Sequence, residues 1–245
     1  MNSKRLILQK LVSTLVIGVP LFVTFGCGAN LNKDKTEEGS LALTAALVGA
    51  WDGTCSQDSR DIRLGDYYLE SYTFNSDLTY KKITRFYKAP KVAEGSIETK
   101  PCSEVDGTLS LEEKGTYALH VKNPKGETNT WESGAVHEVD LMIRQYNMEP
   151  VAVDKVDSFN VSKTCKSESW KLYKEKNISN RTCWGVKPFR IRNIYTIIKR
   201  VEENNVTSIQ MGHIPDLLEN AQGVDDSALK PEARAQALSS KVFTK

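Results

Sequence analysis

The first 27 residues constrain this chain more than any other stretch, because they set the compartment in which the rest must fold. Lys4 and Arg5 precede an apolar run from Leu11 to Phe25, which closes on Gly26-Cys27-Gly28. A basic start, an apolar middle and a small-residue exit make a secretory signal. Gln9 and Lys10 stand just ahead of the run, and Gly18 and Pro20 interrupt its second half. It therefore falls short of the roughly 20 apolar residues that a membrane span needs.

A small residue followed by cysteine at the end of such a run resembles the lipobox of bacterial lipoproteins. Thr24 and Phe25 stand where that family prefers leucine and a small residue. The resemblance implies that Cys27 carries lipid and becomes the first residue of the mature chain. It places the protein in the cell envelope, on the periplasmic or surface side, moored to a membrane and to the outer membrane before others. Ordinary signal-peptidase cleavage at Thr24-Phe25-Gly26 and an uncleaved anchor are the competing readings.

With Cys27 set aside, Cys55, Cys102, Cys165 and Cys183 remain, an even number suited to an oxidising space. None forms a Cys-x-x-Cys pair. Four cysteines allow three connectivities and sequence alone does not choose among them. Sequential pairing, Cys55 with Cys102 and Cys165 with Cys183, is the expectation, since it keeps each loop within one part of the fold. The chain has 245 residues, 40% of them apolar and 26% charged, enough for one core in one domain. A formal charge of +2 gives no ground for a nucleic-acid partner, whose binders gather Lys and Arg on one face. Lys81-Lys82 and Lys199-Arg200 are expected on solvated strand faces.

Residues 27–45 form the lipidated cysteine and a polar tether, too poor in apolar residues to order by burial. Leu41 to Val48 then offers a helical turn or two, and from Gly49 the pattern is β. Tyr67 to Phe74 and Leu78 to Tyr87 flank the turn formers Asn75-Ser76-Asp77, which predicts a hairpin. In the second arm Leu78, Tyr80, Thr84 and Phe86 share one face, with Lys82 the exception. A short strand is expected around Cys102 to Leu111, a turn at Lys114-Gly115, and a further strand at Thr116 to Val121. Ala135 to Tyr146 alternates, with Val139, Leu141 and Ile143 opposite Glu138, Asp140 and Arg144. Val151 to Val161 is either a strand or a crossing loop, and Ser167 to Tyr173 a weak helix. Phe189 to Val201 and Val206 to Met211 are strands joined at Glu202-Glu203-Asn204-Asn205. Residues 213–245 are expected to form a surface-wrapping or disordered tail, with a short helical piece near Pro231 to Leu238.

Short turns between strands, and almost no long helix, predict an all-β fold, an up-and-down antiparallel barrel or a closely related sandwich over residues 46–212. Gly49-Ala50-Trp51, just after a helical turn, resembles the Gly-x-Trp motif of lipocalin-like proteins. The hairpin from Tyr72 to Tyr80 is similar to the Phe-x-x-x-Gly-x-Tyr hairpin of small bacterial lipocalin-like lipoproteins, with Leu78 where glycine is expected. The resemblance implies that Trp51 closes the narrow end of the barrel, next to Gly49, and that an arginine of the last strands lies over it. Arg200 is the candidate. Tyr68, Tyr72, Phe74, Tyr80, Phe86 and Tyr117 are the candidate interior residues, which either fill the barrel or hold one small apolar ligand.

There is no Gly-x-Ser-x-Gly, His-Glu-x-x-His or Gly-x-x-x-x-Gly-Lys motif. His120, His137 and His213 are too few and scattered for zinc, which wants three or four convergent ligands. No cofactor is implied. Asn160, Asn177, Asn180 and Asn205 each begin an Asn-x-Ser/Thr triplet, which carries no meaning beside a bacterial-type lipobox. The expected function is therefore non-enzymatic: a membrane-anchored extracytoplasmic lipoprotein that binds a small apolar ligand or serves the envelope structurally. The alternative is a secreted interaction or adhesion module in which a filled barrel is only a scaffold.

Overall fold

The structure, a computed structural model, describes residues 43–57, 64–90, 101–120, 134–167, 169–185, 187, 189–212, 234–235 and 237–245. The signal segment, Cys27 and its tether, His213, and most of the expected helical piece near the C-terminus lie outside these residues.

A helical turn over residues 43–47, α1, leads into the strands. These are β1 (Gly49–Asp52), β2 (Ser56–Gln57), β3 (Tyr67–Phe74), β4 (Thr79–Tyr87), β5 (Gly107–His120), β6 (Val136–Pro150), β7 (Lys176–Asn177), β8 (Asn193–Glu203), β9 (Val206–Gly212) and β10 (Leu238–Thr244). Each long strand pairs antiparallel with the next, and β1 pairs with both β3 and β10. The sheet returns on itself as a ring of eight strands in up-and-down order, the predicted barrel. β2 continues the line of β1 along β3, and β7 adds to β6. Closure removes the free edges that an open sheet would expose.

The ring follows from period-two patterning. Along β3 every second residue, Tyr68, Glu70, Tyr72 and Phe74, is buried. β6 does the same with His137, Val139, Leu141 and Ile143. The β8–β9 turn is tight, with Asn204 and Asn205 both at positive φ, the conformation that matches the twist of two-residue hairpins.

Four local expectations are corrected. Lys114-Gly115 is no turn: β5 runs through it, and the pairing with β6 shifts there. A β-carbon on Gly115 would sit 2.2 Å from the Met142 carbonyl oxygen, so glycine admits a close backbone approach inside a strand. Val153–Val161 is a helix, α2, which buries Phe159 and packs Val156 against the core. The three-residue spacing of Val156 and Phe159 fits one helical face. Ser167 and Ser169 to Tyr173 are not helical. Lastly, the expected tail ends in β10, which completes the ring. Its alternation of Lys241, Phe243 and Lys245 is a strand pattern whose lysines hid it.

At the β3–β4 hairpin Leu78 has φ 64°, in the left-handed region that glycine adopts freely. This is the position where the resemblance leads one to expect glycine. Leu78 is 45% exposed, so little burial offsets the backbone penalty. Leu78→Gly is expected to raise stability by about 0.5–1 kcal/mol in denaturant unfolding.

Candidate functional site

The two ends of the barrel differ. At one end lie α1, Trp51 and the β3–β4 and β8–β9 hairpins. At the other the connections are long, and both disulfides are there. Cys55–Cys102 ties the β1–β3 connection to the β4–β5 connection, and Cys165–Cys183 closes a loop within the β6–β8 connection. These pairings are the sequential ones, and they mark an oxidising, non-cytoplasmic environment.

Trp51 is fully buried and donates its indole N–H to the Leu47 carbonyl oxygen at 2.7 Å, which fixes α1 across that end with Leu43 and Leu47 buried. The cation over its ring is not Arg200. Lys245 places its Nζ 5.2 Å from the ring centroid and donates to the Val48 carbonyl oxygen at 2.8 Å. Gly49 makes room for it: a β-carbon there would stand 2.7 Å from Lys245 Cε. Arg200 lies in β8 and pairs with Glu202. The expectation failed because it looked for arginine in the predicted strands, whereas the cation follows a strand that had been taken for tail.

All six candidate interior aromatics, Tyr68, Tyr72, Phe74, Tyr80, Phe86 and Tyr117, are buried. Several interlock. Phe74 lies 5.0 Å from Tyr117, 5.8 Å from Tyr72 and 6.2 Å from Tyr80 between ring centroids. Tyr72 also meets Phe243 edge-on at 5.0 Å. Burial pushes the Tyr117 hydroxyl up to about 12, while that hydroxyl donates to the Asn75 carbonyl oxygen.

Among these rings sits a charged group that the sequence analysis missed. Lys82, expected on a solvated face, points inward and pairs with Glu70 Oε1 at 2.6 Å; Lys241 pairs with Glu70 Oε2 at 2.6 Å. Burial alone would raise the Glu70 carboxyl, but the charges and hydrogen bonds of the two ammonium groups outweigh it and hold the carboxyl at about 2. Each lysine also caps a ring, Lys82 over Tyr72 at 5.5 Å and Lys241 over Tyr68 at 4.6 Å. One layer further along, Tyr80 donates to Glu113 Oε1 at 2.6 Å. Register places Tyr72, Lys82, Glu113 and Tyr146 side by side across β3, β4, β5 and β6. The signal was present: Glu70 and Lys82 each break an apolar face of adjacent strands, and their charges are opposite.

This triad staples a weak seam. β10 meets the line of β1 at a single register pair, Asp52 with Thr244, whereas β1 pairs with β3 at four positions. Three successive inward side chains of the last residues cross that seam: Lys241 to Glu70, Phe243 to Tyr72 and Lys245 to Trp51.

The histidines do not converge. His120 is exposed and bonds Asp140 Oδ2 at 2.7 Å on the outer face, where Arg234 holds the other carboxylate oxygen at 2.7 Å. His137 faces inward, and burial lowers its pKa. Among the described residues no group of three His, Cys, Asp or Glu side chains is placed to hold a metal. A groove of about 280 Å³ lies on the outer face of β4 to β6, lined by Arg85, Glu112, Glu149 and Glu175 among others. Asn160 is engaged with the Trp170 backbone through both ends of its amide.

Compared with known proteins, the chain matches no family model and no curated protein.

Proposed function

We propose that this chain is a lipid-anchored extracytoplasmic lipoprotein whose lipocalin-like barrel serves the cell envelope as a non-catalytic scaffold, acting through its outer surfaces. Cys27 moors it, outer membrane before inner, and the polar tether gives it reach. The observation that carries the scaffold reading is the Glu70 carboxylate held between Lys82 and Lys241 among packed aromatic rings. An apolar ligand in that space would lie against paired charges and displace interlocked rings. Close packing, not storage, accounts for these contacts. The lipocalin-like reading is supported by the closed end, where a helical turn, a buried tryptophan after Gly49 and a cation from beyond the last strand come together.

Anchorage is tested by Cys27→Ser. One acyl chain gives only marginal binding and several give stable mooring that salt does not release, so loss of Cys27 moves the protein to the soluble fraction when membranes are washed at about 1 M salt. A variant that stays membrane-bound through that wash contradicts the anchor. The scaffold reading is tested by titrating the purified protein with a fluorescent fatty acid. It predicts no saturable uptake, and one-to-one binding that quenches Trp51 emission contradicts it.

A further inference from the structure

The β6–β8 connection concentrates positive charge. Residues 162–192 hold nine Lys and Arg against two Glu, while the rest of the chain holds 24 Lys and Arg against 29 Asp and Glu. Near-neutral composition therefore conceals a polar division between one excursion and the remaining chain.

The excursion is compact. Cys165–Cys183 closes it, the Asn160 amide clasps Trp170, Lys176 donates to Ser167 Oγ, and Asn180 N–H donates to the Phe189 carbonyl oxygen. Phe159 of α2 and Trp170 meet with ring centroids 5.2 Å apart and join the excursion to the core of the barrel. The exposed cations are thus carried on a braced segment instead of a flexible loop, while Lys176 lies over the Trp170 ring. Lys166, Lys171, Lys174, Arg181, Lys187 and Arg190 are exposed. Lys166, Lys171, Lys174, Arg181 and Arg190 enter none of the ion pairs found among the described residues. Burial and the neighbouring Arg181 charge both lower the Lys176 pKa, so like charges already crowd one another here.

Apolar side chains stand among these cations. Tyr173, between Lys171 and Lys174, is 63% exposed, and Val161, beside the Asn160 clasp, is 85% exposed. Tyr173 is held at φ 52° in a tight turn in which Lys174 N–H donates to the Lys171 carbonyl oxygen. A tyrosine projected between two lysines suits a bilayer interface, where the ring sits at headgroup level and the ammonium groups meet phosphate. A soluble polyanion without rings of its own has no use for the tyrosine.

From this placement we infer that the 162–192 excursion docks on the surface of an anionic lipid bilayer, with Lys166, Lys171 and Lys174 at the phosphates and Tyr173 at the headgroup level. The docking face lies at the end of the barrel opposite α1. It is a second membrane contact that needs no acyl chain and stands independently of the scaffold reading.

The test uses the full chain bearing Cys27→Ser, floated with vesicles of phosphatidylcholine alone or mixed with phosphatidylglycerol. The expected result is preferential flotation with the anionic vesicles, suppressed near 1 M salt, where the screening length is about 3 Å. In that background Lys171→Gln with Lys174→Gln is expected to cut partitioning about 25-fold, at about fivefold per cation. Tyr173→Ser weakens it further, while Lys81→Gln, outside the excursion, leaves it unchanged. Equal partitioning to both vesicle types overturns the proposal. So does vesicle binding that ignores Tyr173→Ser and is displaced by dextran sulfate at matched charge, which would make the partner an anionic polymer.

Discussion

Removing both disulfides, by Cys55→Ser with Cys102→Ser and Cys165→Ser with Cys183→Ser, is expected to leave the chain unfolded at 37 °C. The loops they close span 47 and 18 residues. In the chain-entropy model these contribute about 4 and about 3 kcal/mol. Their sum is comparable to the whole stability of an ordinary domain, about 5–15 kcal/mol. The two single losses differ in kind. Cys55–Cys102 ties the β1–β2 line to the β4–β5 connection, so its removal is expected to loosen the ring. Removal of Cys165–Cys183 is expected to loosen chiefly the basic excursion. Circular dichroism and urea unfolding of each variant check this, and a reduced protein with unchanged unfolding would count against it.

Glu70→Gln is the second large effect. It strands the Lys82 charge inside the barrel and releases Lys241 from the seam. Breaking a buried pair costs about 3–5 kcal/mol, and about 3 is expected here, because Lys241 is partly exposed and water screens it. Hydrogen exchange is expected to localise the loss to β10, which the triad holds against β3. A triple variant, Glu70→Leu with Lys82→Met and Lys241→Met, is expected to recover most of the loss, since apolar replacement of a buried ionic group is often neutral. The same carboxyl gives an acid limit. Its pKa lies at about 2 in the fold against an ordinary 4.5. The stabilisation it provides is complete above 4.5 and is lost as pH falls towards 2. Glu70→Gln should flatten the unfolding curve in that window; an unchanged slope there would mean that other carboxylates govern acid unfolding.

Most of the barrel was legible because alternation survives in the central strands: β3, β4, β6, β8 and β9 read directly from their apolar period. The exceptions have physical causes. β10 reads as tail because Lys241 takes one of its inward positions and Lys245 follows its end, and their acceptors, Glu70 and the Val48 carbonyl, lie 171 and 197 residues away. β5 reads as two strands because Gly115 signals a turn, and only the crowding at Met142 makes glycine a strand residue there. α2 is fixed by what it packs against, Trp170 and Trp184 among others, which no local window contains. For the site, the closing tryptophan and its glycine were found from a three-residue motif. The Glu70–Lys82 pair lies within the β3–β4 hairpin and left a signal in the two apolar faces it breaks; Lys241 and the cation over Trp51 did not, because their contacts form only where the ring closes.

The most direct measurement is intact mass and non-reducing peptide mapping of the protein isolated from cell membranes. The account predicts a mature chain that starts at an acylated Cys27 and carries Cys55–Cys102 and Cys165–Cys183 as its only linked pairs. A chain that retains Met1 with its thiols free would contradict it.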